Sequence, residues 1–140
     1  MKLGKLEQIT DLRSIWKHEA NDFTPWLAKE ENLSVLSDAI GIDLVLEEQE
    51  SKVGDFSVDL LATEEGTGRK IIIENQLEET NHDHLGKIIT YASGKDAEVI
   101  IWIVRKARDE HKKAIEWLNQ HTDDSSAFFL IEIEVWKIGN

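Results

Sequence analysis

The stretch Lys70-Ile-Ile-Ile-Glu-Asn-Gln76 constrains this chain more than any other. Three successive β-branched residues suit a central strand, where branched side chains pack well on a pleated surface. Two polar residues, Glu74 and Gln76, then follow on the same strand. They are two apart and therefore point to one face. A carboxylate inside a sheet is costly unless something offsets its lost hydration. Whatever surrounds this strand must therefore deal with Glu74.

The neighbouring sequence supplies a partner. Phe56, Val58 and Leu60 alternate with Ser57, Asp59 and Leu61, as in a half-buried strand. Glu64-Glu-Gly-Thr-Gly68 is a turn signal, so Phe56–Ala62 and Arg69–Gln76 are expected to form an antiparallel hairpin. Asp59 interrupts an otherwise apolar run. If its side chain shares the Glu74 face, two carboxylates converge across one ladder spacing. Taken singly, each acid reads more readily as the solvent face of an edge strand than as a ligand. Taken together, two desolvated like charges call for a cation. Hard oxygen donors select Mg²⁺ or Mn²⁺ over zinc.

The rest of the chain reads as follows. Residues 1–22 are a lead-in. Thr24 then Pro25 is a helix start, with Thr24 as the capping hydroxyl. Trp26, Leu27, Leu33, Leu36 and Ile40 continue at helical spacing to Gly41, as one helix or two broken near Asn32. Ile42, Leu44 and Leu46 alternate as a strand. Thr80 opens a helix with Leu85, Ile88, Ile89 and Ala92 as its apolar stripe, and Gly94 ends it. Glu98–Val104 is a buried strand, Asp109–Gln120 a helix, and Ala127–Ile138 one long strand. The order is helix, three strands, helix, strand, helix, strand. There is no repeat, no low-complexity stretch and one proline, so 1–140 is expected to be a single α/β domain with a mixed sheet.

Charge and composition remove several classes. Lys plus Arg number 16 against 28 Asp plus Glu, a net charge of −12. This disfavours broad attraction to a polyanion, because phosphate contacts need Lys and Arg. Zero cysteines exclude a disulfide framework, a thiolate nucleophile and a Cys-based zinc site. No apolar run reaches the length of a membrane span, and no leader is recognisable, so a cytoplasmic domain without a membrane role is expected. Arg105, Lys106, Arg108, Lys112 and Lys113 form the basic cluster, diluted by Asp109 and Glu110. The five tryptophans read as core, Trp102 and Trp117 above all. His82 and His84 lie two apart near a helix start and do not share a helix face. His82 reads as packing or facing water; His84 could meet a phosphate at the positive helix end. His18, His111 and His121 have no matched spacing, which speaks against a zinc triad.

Asp59 followed by Glu74-Asn-Gln76 after an apolar strand resembles the PD-(D/E)xK nuclease superfamily. The element order matches that superfamily's restriction-endonuclease-like core. The wider string resembles an uncharacterised prokaryotic family with the same core. It runs through Trp16-Lys-His-Glu-Ala-Asn-Asp-Phe-Thr-Pro-Trp-Leu27, Gly54-Asp-Phe-Ser-Val-Asp-Leu-Leu-Ala62 and Ile73-Glu-Asn-Gln-Leu-Glu-Glu-Thr-Asn-His-Asp-His-Leu-Gly86. It continues through Thr90-Tyr-Ala-Ser-Gly94, Trp102-Ile-Val104 and Trp117-Leu-Asn119, covering nearly the whole chain.

The resemblance implies that Asp59 and Glu74 ligate the metal, with the Asn75 backbone carbonyl nearby. It implies that Glu31 matches the superfamily's upstream helical acid. Gln76 stands where the superfamily usually has lysine, and glutamine carries no charge and cannot act as a general base. Lys87, four residues before Tyr91 on one helix face, offers a substitute that resembles the Gln-x-x-x-Tyr motif of related nucleases. The equally weighted alternative is a solvated helix lysine. The implied function is Mg²⁺- or Mn²⁺-dependent hydrolysis of DNA phosphodiesters. The runner-up is a degenerate nuclease fold that binds nucleic acid or a protein without cutting. A pure interaction module with an acidic face is the third. The resemblance further implies pairing into a homodimer and continuation into a further C-terminal domain in a longer protein.

Overall fold

A computed structural model of the chain describes Met1 and residues 3–139. Seven strands and four helices carry the fold among those residues. Strand β1 spans Lys5–Ile9, followed by a 3-10 turn, Leu12–Ser14, and a π-helical turn, Glu19–Phe23. Helices α1 (Thr24–Ala28) and α2 (Glu30–Ile40) precede strands β2 (Leu44–Val53), β3 (Phe56–Glu64) and β4 (Lys70–Glu79). Helix α3 (His82–Lys95), strand β5 (Val99–Lys106), helix α4 (Asp109–His121) and strands β6 (Ala127–Glu132) and β7 (Val135–Gly139) complete it.

The main sheet has the order β2-β3-β4-β5-β6. β2, β3 and β4 pair antiparallel, whereas β4–β5 and β5–β6 are parallel. This is the mixed central sheet expected from the element order. β4 sits in the middle, and Ile71, Ile72 and Ile73 are all fully buried. Each such isoleucine stabilises the fold by roughly 2–3 kcal/mol relative to an exposed one. Ile71 and Ile73 face one core with Leu60, Ile101, Phe23 and the α1–α2 residues Leu27, Leu33 and Leu36. Ile72 faces the other with Val58, Ile88, Tyr91, Trp102 and Ile115 from α3, β5 and α4.

Several boundaries differ from the sequence reading, each for a local reason. The 1–22 lead-in contains β1, which pairs antiparallel with β7 in a separate two-stranded sheet. The long strand expected over Ala127–Ile138 is accordingly two strands in two sheets. The break between α1 and α2 falls at Lys29, whose backbone is extended, and Asn32 instead donates its side-chain amide to the Trp26 carbonyl. Thr24 does not cap α1, since its hydroxyl accepts a hydrogen bond from Asn75 Nδ2 at 2.9 Å. α3 is capped by Asn81, whose side chain accepts the His84 N–H, and Thr80 lies just before it. α3 also runs past Gly94, and Asp96 takes the left-handed conformation at its end. Gly94 is needed for another reason: a Cβ there would run into Val53 Cγ1. Trp102 is fully buried, but Trp117 is 57% exposed and stacks on His121. No helix among the described residues is long and apolar enough to cross a membrane.

Candidate active site

The β3–β4 ladder runs from Thr63↔Lys70 to Leu60↔Ile73. One step further along that register, Asp59 lies opposite Glu74, so both carboxylates share the α3 side of the sheet. Regular pairing stops there and the carboxylates take over the backbone bonding. The Asp59 N–H donates to Glu74 Oε1 at 3.0 Å, and the Asn75 N–H donates to Asp59 Oδ2 at 2.8 Å. Among the described residues Asp59 Oδ1 and Glu74 Oε2 carry no hydrogen bond.

The surroundings are acidic. Glu50 lies across from Asp59 on β2, between the Val58–Ser51 and Leu60–Gln49 pairs, and has φ of +50°. A non-glycine residue in that region is uncommon and strained. Glu19, in the π-helical turn, accepts the Leu77 N–H at 2.9 Å and an Arg13 guanidinium hydrogen bond at 2.8 Å. Burial pushes the Asp59 carboxyl up to about 7, reinforced by Glu50 and Glu19. Burial and the Asp59 charge push Glu74 up to about 8, reinforced by Glu50. Lys87 pulls both down, but too weakly to restore ordinary carboxylates.

The donor set fits a hard divalent cation. The half-buried Asp59 and the buried Glu74 have one unbonded oxygen each, and their mutual repulsion would be relieved by positive charge between them. The described residues contain no cluster of three or more His, Asp or Glu arranged to hold a metal. Two protein carboxylates plus water or substrate oxygens nevertheless match the habits of Mg²⁺, which keeps several of its waters.

The other sequence-derived candidates divide. Lys87 and Tyr91 come together with the carboxylates: Tyr91 is buried, and burial with the Glu74 charge raises its phenol. Lys87 pairs with Asp83 at 3.2 Å. Burial opposes its charge, yet the Asp83 hydrogen bond and the charges of Asp83, Tyr91 and Glu74 hold its pKa above the ordinary lysine value. His84 bonds Asn81 Oδ1, and burial followed by the Lys87 charge keeps its imidazole below the usual range.

Gln76 bonds groups other than the carboxylates. It is fully buried, its Oε1 accepts the Trp102 indole N–H at 3.1 Å, and its Nε2 donates to the Glu79 carbonyl at 2.8 Å. Those bonds hold the amide in place and leave one N–H and one oxygen lone pair unused. The Asn75 side chain crosses to the opposite face of the sheet, bonds Thr24, and leaves a buried Oδ1 without a partner. Only its backbone is near the acids. Glu31 is exposed on α2 and is not among the charges acting on Asp59 or Glu74. Glu19 is the upstream acid whose charge acts on Asp59. Sequence reasoning missed it because it belongs to a π-helical turn with no periodic signal. Glu50 was hidden in the polar run Glu47-Glu-Gln-Glu50.

A second polar group links α3 and α4. Thr80 Oγ1 and His111 Nδ1 are 2.7 Å apart, and His111 Nε2 and His82 Nδ1 are 2.9 Å apart. His111 is buried and His82 is exposed. No spacing rule joins residues on different elements, so this pairing was not legible beforehand. The basic cluster is partly neutralised: Arg108 meets Glu79 and Glu110, and Lys112 meets Asp109.

The fold defined by this sheet order and helix placement is of the restriction-endonuclease-like class. It is similar to a repair endonuclease from Pyrococcus abyssi, with 14% identity and a TM-score of 0.53 over 74% of this chain and 47% of that one. It is also similar to EndoMS as seen in a complex with double-stranded DNA, with 14% identity and a TM-score of 0.51 over 74% of this chain and 44% of that one. The chain thus spans less than half the length of either structure. No protein-family model matches it, and no curated protein matches it.

Proposed function

We propose that this domain is a metal-dependent endonuclease that hydrolyses DNA phosphodiester bonds at the Asp59–Glu74 pair. The observation carrying this reading is that the buried Glu74 and the half-buried Asp59 face each other across β3 and β4, each with one unbonded oxygen, in acidic surroundings. A merely structural pair in that position would gain from being apolar. Asp59 and Glu74 would hold Mg²⁺ or Mn²⁺; when bound there, such an ion supplies Lewis-acid polarisation of a phosphoryl oxygen and a more acidic water.

The remaining work falls to the chain's own groups. Asp59 and Glu74 are each fixed by a backbone N–H, so their free oxygens are aimed without further ordering. Lys87 stands on the same side and can balance negative charge growing on the phosphate. Tyr91, one helical turn on, fills the space behind it. The similarity to a structure that contains double-stranded DNA supports DNA as the ligand class. With a net charge of −12, the contacts must be local, from Lys87 and the exposed Arg105, Lys106 and Lys113.

A second reading, binding without cleavage, is favoured by one observation: Gln76 occupies the usual lysine position and is locked by Trp102 and Glu79. The deciding experiment is a Mn²⁺ cleavage assay on single-stranded, duplex and branched DNA, with Asp59→Asn and Glu74→Gln as controls. Products formed by the wild type and lost in both variants support the nuclease. DNA binding with no metal-dependent product from the wild type leaves the binding module.

A further inference from the structure

We infer that the open groove between Phe56 and the exposed flank of α3 seats an unpaired nucleobase of the nucleic acid bound at the carboxylates. The inference rests on the nucleic-acid reading above, but only for the class of ligand.

The groove has a volume of about 400 Å³ and is lined by Phe56, His82, Gly86, Lys87, Thr90 and Tyr91. Asp83, the ion-pair partner of Lys87, borders it as well. Phe56 stands at the start of β3 with 60% of its surface exposed. Large apolar side chains are normally covered, and an isolated exposed one needs no explanation. Here the ring is not isolated. It lies 6.3 Å from the buried Tyr91 ring at a tilt of 37°, with most of its own surface open. Gly86 and Thr90 keep the opposite wall low, and nothing lies within 4 Å of where a Cβ on Gly86 would be.

The groove shares two residues with the candidate site. Lys87 and Tyr91 line it, and the same two groups act electrostatically on Glu74 and Asp59. A strand whose phosphate lies at the carboxylates would therefore carry a neighbouring base toward Phe56. A nucleobase suits this place better than a phosphate does. The lysine on the lining already faces Asp83 and the scissile phosphate's side of the site, the other walls are largely aromatic, and stacking needs only a π-face and tolerates any base. A base inside a duplex cannot present its face to Phe56, so the substrate must be single-stranded or locally unpaired there.

The test uses the full chain carrying Asp59→Asn and Glu74→Gln, which removes carboxylate repulsion and allows binding to be measured without metal. The probe is a single-stranded oligonucleotide containing 2-aminopurine, read by fluorescence quenching and by anisotropy. Adding Phe56→Ala is expected to weaken binding about tenfold and to abolish the quenching, while Phe56→Trp retains both. A fully paired duplex of the same sequence is expected to bind without quenching. Equal affinity and quenching with and without Phe56, or no binding of the oligonucleotide, would overturn the inference. Its failure is separable from failure of the nuclease reading. Phe56-dependent stacking without Mn²⁺-dependent products in the unaltered protein removes only the cleavage, and cleavage that ignores Phe56 removes only the groove. Because Phe56 is mostly exposed, unchanged circular dichroism in Phe56→Ala checks that the fold is intact.

Discussion

The Trp102 indole N–H donates to Gln76 Oε1 at 3.1 Å, joining the two central parallel strands through fully buried side chains. Gln76 therefore acts as a structural tie between β4 and β5. Gln76→Lys is not expected to create a better enzyme. An ammonium has no acceptor for the indole and would bring an uncompensated charge into the sheet interior. The variant is expected to lose about 3 kcal/mol, the magnitude typical of an unpaired buried charge. Urea unfolding followed by tryptophan fluorescence measures this. A variant as stable as the wild type, with faster metal-dependent cleavage, would reverse the assignment.

The carboxylate pair gives stability a defined pH dependence. Asp59 and Glu74 have folded pKa values of about 7 and about 8, above the ordinary 3.8 and 4.5. The folded protein therefore binds more protons than the unfolded one between those limits. By linkage, the metal-free protein loses stability as pH rises from about 4 through about 8, on the order of a few kcal/mol, and levels off beyond. Glu74→Gln removes one of the two charges and should flatten this slope. Mn²⁺ should stabilise the wild type more at pH 8 than at pH 5, through preferential binding to the native state. Melting temperatures across pH, with and without Mn²⁺, test both statements. A slope unchanged by Glu74→Gln would show that the pair is not the origin.

How much of this was legible in advance follows from the range of the interactions. The hairpin and the facing of Asp59 and Glu74 follow from alternation and a two-glycine turn, which act over a few residues. The central position of Ile71–Ile73 follows from their side-chain shape. The β1–β7 pair was not readable, because its strands lie at opposite ends of the described chain and only tertiary packing selects them. The same holds for Glu19, which reaches the site by bonding the distant Leu77 N–H. Gln76 was placed correctly on its strand face, but its partner Trp102 could be known only once β4 and β5 were seen to run parallel. Thr24 and Gly94 were read as helix punctuation. Each instead serves a contact with a strand, Asn75 on β4 and Val53 on β2.

Gly94 sets how closely α3 lies on the β2–β3 hairpin, and hence where Lys87 and Tyr91 stand. Gly94→Ala would gain about 1 kcal/mol in helix propensity. The added Cβ would run into Val53 Cγ1 and must displace a β-branched side chain on a strand. Overpacking of this kind costs about 1–3 kcal/mol, so net destabilisation is expected. Val53→Ala in the same chain should restore part of the loss by vacating the contested space. Urea midpoints of the two single variants and the double variant provide the cycle. Simple additivity would show that the two residues do not compete for one volume.

The chain Thr80–His111–His82 ties the start of α3 to the start of α4, and it too responds to pH. His111 is held below the ordinary value of 6.5 by burial, then by the charges of His82 and Arg108, with Glu110 opposing. Its folded form therefore resists protonation that the unfolded chain accepts. Stability on this account is level above about pH 6.5 and falls as pH drops below it, opposite in direction to the carboxylate pair. His111→Leu removes the ring, leaving Thr80 with the Arg108 N–H, which it accepts at 2.9 Å. At pH 7.5 the variant is expected to be weaker by about 1–3 kcal/mol, for lost hydrogen bonds and imperfect filling of the site. Between pH 6.5 and pH 5 it should lose less additional stability than the wild type. Calorimetric melting of both proteins across that interval decides the matter, and parallel curves would place the acid sensitivity elsewhere.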